Sequence, residues 1–275
     1  MSDLALSPTL APVAPGAGAR LRWAVSDIRT VTWRNLMHIV RVPEAFFFSA
    51  LQPIMFVLLF RFVFAGAISA PGGSYVNYLM PGIFVQTVCF GAVSTAIGLS
   101  EDLHSGMLER FRALPMSRSA VLGGRTTADL VRNGFVIVLM TVVGLIVGFR
   151  PQAAPLDYLM ACLVMLLFAY SLMWGFAVIG LTAPTAETAQ LMSFPVLFPL
   201  TFCSSAFVPV QTMPGWLQPF AANQPVSQAV DAARYLMLGG VYHQYADSLW
   251  KSIAWSVGLL VILAPFAVRR YRRLV

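Results

Sequence analysis

Six stretches of this chain carry no charged side chain: residues 45–60, 62–100, 133–149, 158–186, 188–230 and 252–268. No other feature limits the fold so tightly. A helix rises about 1.5 Å per residue, so about 20 such residues cross the hydrocarbon of a bilayer. Charge is scarce overall, with 18 Lys+Arg and 11 Asp+Glu among 275 residues. That is 11% of the chain, against about 25% in soluble domains. With 58% apolar residues, a water-soluble globule could not cover its surface. The chain reads as an all-α integral membrane protein.

The charge-free runs predict six transmembrane helices. The first runs from Ala45 to Ala67 and includes Arg61; the second runs from Tyr78 to Ser100, after a Pro-Gly-Gly-Ser turn at 71–74. The others fall near 131–149, 157–181, 188–208 and 250–268. Residues 44–275 then form one six-span domain. Residues 20–43 form an N-terminal amphipathic interfacial helix, and residues 1–19 a disordered tail. That tail has neither a basic start nor a continuous apolar stretch, so no secretory signal peptide is expected.

Orientation follows from the basic residues, seventeen Arg and the single Lys251. Five precede the first span (Arg20, Arg22, Arg29, Arg34, Arg41), five lie between spans two and three (Arg110, Arg112, Arg118, Arg125, Arg132), and four close the chain (Arg269, Arg270, Arg272, Arg273). Only Arg150, Arg234 and Lys251 fall on the other side. The bias places both termini and the 101–132 loop in the cytoplasm. A net charge of +7 in a soluble domain would suggest nucleic acid, but most of these Arg flank apolar runs and no such partner is expected. Arg-rich, Lys-poor usage suggests a bacterial source, hence a multi-pass protein of the cytoplasmic membrane.

Several chemistries are missing from the residues. A P-loop needs a Lys after its second Gly, and Lys251 follows Trp250. Ion-coupled carriers keep ionisable side chains near the bilayer midplane; the only candidates in the predicted spans are Arg61 and Glu187, both near span ends. Neither a zinc-type His pair, a Ser/His/Asp set nor a carboxylate dyad is visible. Cys89, Cys162 and Cys203 have no paired spacing. The chain is expected to bind no cofactor or metal and to have no catalytic residues.

Polar and amphipathic patterns are more informative. Phe90 lies four residues from both Gln86 and Ser94, so the three share a helix face; Phe194, Phe198, Thr201 and Ser205 align likewise. Such aromatic and polar stripes suit an amphipathic passenger, and they suit ordinary helix packing as well. In the 20–42 helix, Leu21, Val25, Ile28, Leu36 and Ile39 oppose Arg20, Asp27, Arg34 and Arg41 until Pro43 stops it. After span two, Leu103, Met107, Leu108, Phe111 and Leu114 make an apolar stripe edged by Glu101, Glu109 and Arg112, and Pro115 ends it. A short helix of this kind can dock into a soluble partner or pack on its own neighbours. The stretch 209–249, broken by four prolines, reads as short outer re-entrant or surface helices; Pro225 can start one and Gly239-Gly240 can end it.

At these residues the chain resembles the membrane subunit of a type-2 ABC exporter, of the daunorubicin/doxorubicin-resistance drug and lipid exporter permeases. The match rests on Trp33-Arg34-Asn35 leading to Arg41 and Pro43, on Glu101-Asp102, Gly106-Met107-Leu108-Glu109 and Pro115-Met116-Ser117-Arg118, and on "VPVQTMPGWLQPFAANQPVSQAVDAARYL" after span five. Gln224-Pro225 and Gly106-Met107 depart from the family's usual Asn-Pro and Gly-Thr. The resemblance implies an ATP-driven exporter of an amphipathic drug-like or lipid substrate. Two ATP-binding subunits would hold the ATP and Mg, and a second permease chain, identical or paralogous, would complete the assembly in membrane lipid. It also implies residue roles. Glu101, Asp102, Gly106, Met107, Leu108, Glu109, Phe111 and Pro115 would form the cytoplasmic coupling helix between spans two and three. Trp33, Arg34 and Arg41 would belong to the interfacial helix. Gln86, Phe90, Ser94, Phe194, Phe198 and Thr201 would line the substrate pathway, and Trp216, Pro225, Asp231 and Arg234 would form an outer lid. The rivals are a permease for a lipid-linked glycan, an ATPase-independent carrier or channel, and a membrane-embedded enzyme of lipid metabolism.

Overall fold

In a computed structural model of the chain, residues 26–37, 43–64, 74–105 and 118–274 are described, and all regular structure among them is helical. Helix α1 covers 26–37. Helix α2 is Pro43–Leu59, prolonged by a π-turn at Phe60–Phe64. Then come α3 (Tyr75–His104), α4 (Arg118–Val147), α5 (Pro155–Gly180) and α6 (Ala186–Phe202). Two short helices follow, α7 (Gln218–Asn223) and α8 (Pro225–Leu238), flanked by 3-10 turns at Val210–Thr212 and Gly240–Tyr245. Helix α9 (Ala246–Leu274) closes the chain.

The expectation of six spans is corrected. Among the described residues, four helices are long and apolar enough to cross a membrane: Tyr75–His104, Leu122–Val147, Pro155–Gly180 and Tyr242–Leu274. In the stretch expected as span one, helix runs from Pro43 to Phe64, and its apolar part among the described residues is Leu51–Val63. Pro53 removes a backbone donor there, and the helix widens around Arg61. The stretch expected as span five holds the 17 residues of α6, about 25 Å of helix where about 30 Å is needed. Pro195 and Pro199 interrupt its hydrogen bonding, and the chain leaves the helix at Cys203. A run without charges is therefore not a run of continuous helix. The converse also holds, since α4 begins thirteen residues before the predicted start at 131, with Arg125, Asp129 and Arg132 inside it.

Local signals explain the ends. Ser74 and Thr185 cap α3 and α6 by accepting from the backbone N–H groups of Asn77 and Thr188. Pro155 and Pro225 occupy the first helical positions of α5 and α8, where a missing N–H costs nothing. Gly239, with φ of 57°, stops α8 in a conformation that disfavours a Cβ. The Pro225 start and the Gly239 stop fall where the sequence predicted them.

Helix α3 is the axis of the bundle, buried over most of its length and packed on α4, α5, α6 and α8. Helices α4 and α9 turn much of their surface outward. The main core runs along α3 and α5 and up to α8. A smaller cluster closes the other end, where Leu99, Leu122, Trp174, Leu181, Ala267 and Tyr271 meet. At that end α1 lies on α4: a Cβ at Gly123 or Gly124 would meet Ile28 or Val31, and Thr32 donates to the Gly124 carbonyl (3.2 Å).

Candidate functional site

Three features stand out along α3: a cleft at mid-length and a charge cluster towards each end. The cleft has a volume of about 190 Å³ and lies among α2, α3, α4 and α6. Gln86, Phe90 and Ser94 line it together, as their spacing predicted, and Phe194 faces them from α6. Phe198 sits edge-on to both Phe90 (5.9 Å) and Phe194 (5.4 Å). The aromatic contacts continue from Phe198 to Phe202 (5.3 Å), Phe207 (5.3 Å) and Phe60 (4.7 Å). Thr201 is not on this wall; it is buried, and its hydroxyl bonds back to the Leu197 carbonyl at 2.8 Å. Gln52 and Phe56 of α2, Arg132 and Asn133 of α4 and Gln190 of α6 complete the lining, and the sequence reading had singled out none of these for that role.

The first charge cluster joins α3 to α4. Arg125 reaches Asp102 (3.4 Å) and Asp129 (3.5 Å), while Arg132 meets Asp129 at 3.5 Å and donates to the Gly91 carbonyl at 2.9 Å. The Thr95 hydroxyl donates to Asp129 at 2.7 Å. Positions 91, 95, 98 and 102 of α3 recur every three or four residues and so form one polar seam. Small residues are needed in it: a Cβ at Gly98 would overlap the Arg125 guanidinium, and one at Gly91 the Asn133 amide. Asp129 is thus a buried carboxylate within a membrane-length helix, which corrects the view that Arg61 and Glu187 were the only intramembrane candidates. The available signal was Arg125, Asp129 and Arg132 at helical spacing, which the reading used only to count loop charges.

The second cluster fastens the opposite end. Arg234 is fully buried, with its guanidinium 3.6 Å from the Tyr78 ring centroid. It donates to Asp231 (2.9 Å) and to the carbonyls of Tyr78 (3.1 Å), Ser205 (2.6 Å) and Ala206 (3.2 Å). The Ser205 hydroxyl donates to Asp231 at 2.9 Å, and the Tyr78 hydroxyl donates to the Ser205 carbonyl at 3.0 Å. Burial pushes the Asp231 carboxyl upward, and Arg234 and Ser205 draw it back. One Arg therefore satisfies the backbone freed where α6 ends. Of the expected lid residues, Asp231 and Arg234 are core, Pro225 starts α8, and Trp216 stands 81% exposed.

Among the expected coupling residues, Glu101 and Asp102 occupy the last turn of α3, Glu101 exposed and Asp102 paired with Arg125. Gly106, Met107, Leu108, Glu109, Phe111 and Pro115 lie outside the described residues, as does Arg41. Trp33 and Arg34 are on α1, Trp33 exposed and Arg34 close enough to act electrostatically on Asp102. No group of His, Cys, Asp and Glu among the described residues could hold a metal ion.

Comparison with known proteins gives these features a context. The family model described as ABC-2 type transporter matches residues 26–238. A daunorubicin resistance ABC transporter permease protein, DrrB1 of Streptomyces coeruleorubidus, is 36% identical over 254 residues, covering 90% of this chain and 87% of the relative. A probable doxorubicin resistance ABC transporter permease protein, DrrC of Mycobacterium tuberculosis, is 27% identical over 276 residues, covering 98% and 96%. A putative transport permease, ycf38 of Porphyra purpurea, is 25% identical over 249 residues, covering 88% and 84%. Permeases of this kind carry no ATPase site, and this chain is not the ATP-hydrolysing component. A multi-pass membrane bundle matched over most of its length in this way belongs to the ABC-2 type transporter family, as a permease related to the daunorubicin- and doxorubicin-resistance exporters.

Proposed function

We propose that this permease forms the translocation path of an ATP-driven exporter for an amphipathic drug-like or lipid cargo. The mid-length cleft carries the proposal, because it sets aromatic rings (Phe90, Phe194) beside uncharged polar groups (Gln86, Ser94) inside an apolar bundle. Such a lining matches a passenger with an apolar body and a polar end. Two copies of an ATP-binding subunit, each with its ATP and Mg, would supply the force, and a second permease chain would close the path. Glu101 and Asp102, with the segment from Gly106 to Pro115, would receive nucleotide-driven movement, and α1 with Trp33, Arg34 and Arg41 would brace it. Both termini would be cytoplasmic; the Asp102–Arg125 pair, the α1–α4 contact and the last turns of α9 already share one end of the bundle.

Filling the cleft tests the reading. In the assembled complex, Ser94→Trp is expected to abolish ATP-driven uptake of an amphipathic dye into inverted vesicles while leaving assembly and ATP turnover measurable. Export at the wild-type rate through the filled cleft would overturn it.

A further inference from the structure

The cleft holds hydrogen-bond donors besides its aromatic walls. Arg132, counted in the sequence as a loop cation, reaches the Gly91 carbonyl, and Gly91 lies at mid-length of α3 (Tyr75–His104). A cation at that depth in a membrane-length bundle is costly unless it meets a partner or a passenger. Its Nη2 is shared between Gly91 and the 3.5 Å contact to Asp129, and no hydrogen bond among the described residues engages Nε or Nη1. Arg125 and Arg132 face Asp102 and Asp129, so the cluster balances in formal charge, but Asp129 is shared with Arg125 and the Thr95 hydroxyl and leaves Arg132 donors open to the cleft.

A second donor points the same way. Gln86 is only 3% exposed and lines the cleft, yet its Nε2 has no hydrogen-bond partner among the described residues. A buried amide N–H left unpaired costs about 1–3 kcal/mol, a cost that an acceptor in the cleft would relieve. Gln86 and Arg132 line the same cleft, so one polar head placed in it faces both donors. No Asp or Glu lines the cleft among the described residues. A cationic head would therefore face Arg132 with no carboxylate opposite.

We propose that this cleft selects amphipaths with an anionic, hydrogen-bond-accepting head, such as a phosphate or carboxylate, received by Arg132 and Gln86 while the apolar body lies on Phe56, Phe90 and Phe194. The inference rests on the translocation reading and narrows its cargo class. Free amphipaths and membrane lipids can both carry such a head.

Equilibrium binding without nucleotide tests it separately from transport. The assembled complex, in nanodiscs of phosphatidylcholine, is titrated with dodecyl phosphate and with dodecyltrimethylammonium, which share a chain and differ in charge. The phosphate is expected to bind at least about tenfold tighter, the scale of one charge-assisted hydrogen bond. Gln86→Glu, nearly equal in shape, should erase or reverse that ratio, and Gln86→Leu should weaken the phosphate alone. Competition by phosphatidylglycerol added to the nanodisc would support a lipid as the source, and its failure to compete would support a free amphipath. Equal or tighter binding of the ammonium, or a ratio unmoved by Gln86→Glu, overturns the proposal. Loss of ATP-driven export with the binding ratio intact would count against the translocation reading alone.

Discussion

The two charge clusters on α3 are made from the same residue types and built to different tolerances. At Arg234 every contact is short, the cation is buried, and its donors end on an aspartate and three backbone carbonyls. At Arg125 and Arg132 the ion pairs are 3.4–3.5 Å long, shared among two aspartates and partly open to solvent. A buried ion with a full set of partners behaves as a rivet, because any displacement strands a charge. Long, shared pairs can exchange partners at small cost. The α8 end of the bundle is thus the more tightly fastened of the two, and the end that carries α1 and the Asp102–Arg125 pair the more loosely fastened.

The comparison can be broken first at the rivet. Arg234→Met strands Asp231 and three carbonyls, so about 3–5 kcal/mol of stability should be lost, read as a large fall in the unfolding temperature of the detergent-purified chain. A fall no greater than that of a variant in the Asp102–Arg125 cluster would remove the contrast. Gly98→Ala comes next. Its Cβ displaces the Arg125 guanidinium, the flexible end of a long side chain, at a cost of about 1–3 kcal/mol, and export per ATP should fall by more than stability does. The smallest stability change is expected for Asp102→Asn, about 1 kcal/mol or less for a partly exposed pair. There the ratio of transport to ATP turnover should change while the unfolding temperature hardly moves. An unchanged ratio would reduce the Asp102–Arg125 cluster to a structural contact.

Sequence legibility followed the same division. Helix ends written in local chemistry were readable, as Pro225 and Gly239 bounding α8 show, and so was the shared face of Gln86, Phe90 and Ser94. Span counting failed where absence of charge stood in for continuity of helix. Residues 188–230 carry no charge, yet the chain turns at Cys203 because Arg234, from a later element, supplies donors for the freed carbonyls. Arg125, Asp129 and Arg132 were read as loop residues because their partners lie across α3 at Thr95, Gly91 and Asp102, some 23 to 41 positions earlier in sequence. Periodicity within one helix does not disclose a partner on another. Asp231 and Arg234 are buried and paired with each other, which their spacing alone did not disclose.

The most direct measurement is flux through proteoliposomes that hold this permease with and without its ATP-binding subunit. Uptake of an amphipathic dye into the proteoliposomes, driven by ATP added outside, is expected only when both subunits are present, and is expected to be lost in the cleft-filled Ser94→Trp complex. Movement of the dye driven by an ion gradient through the permease alone would contradict it.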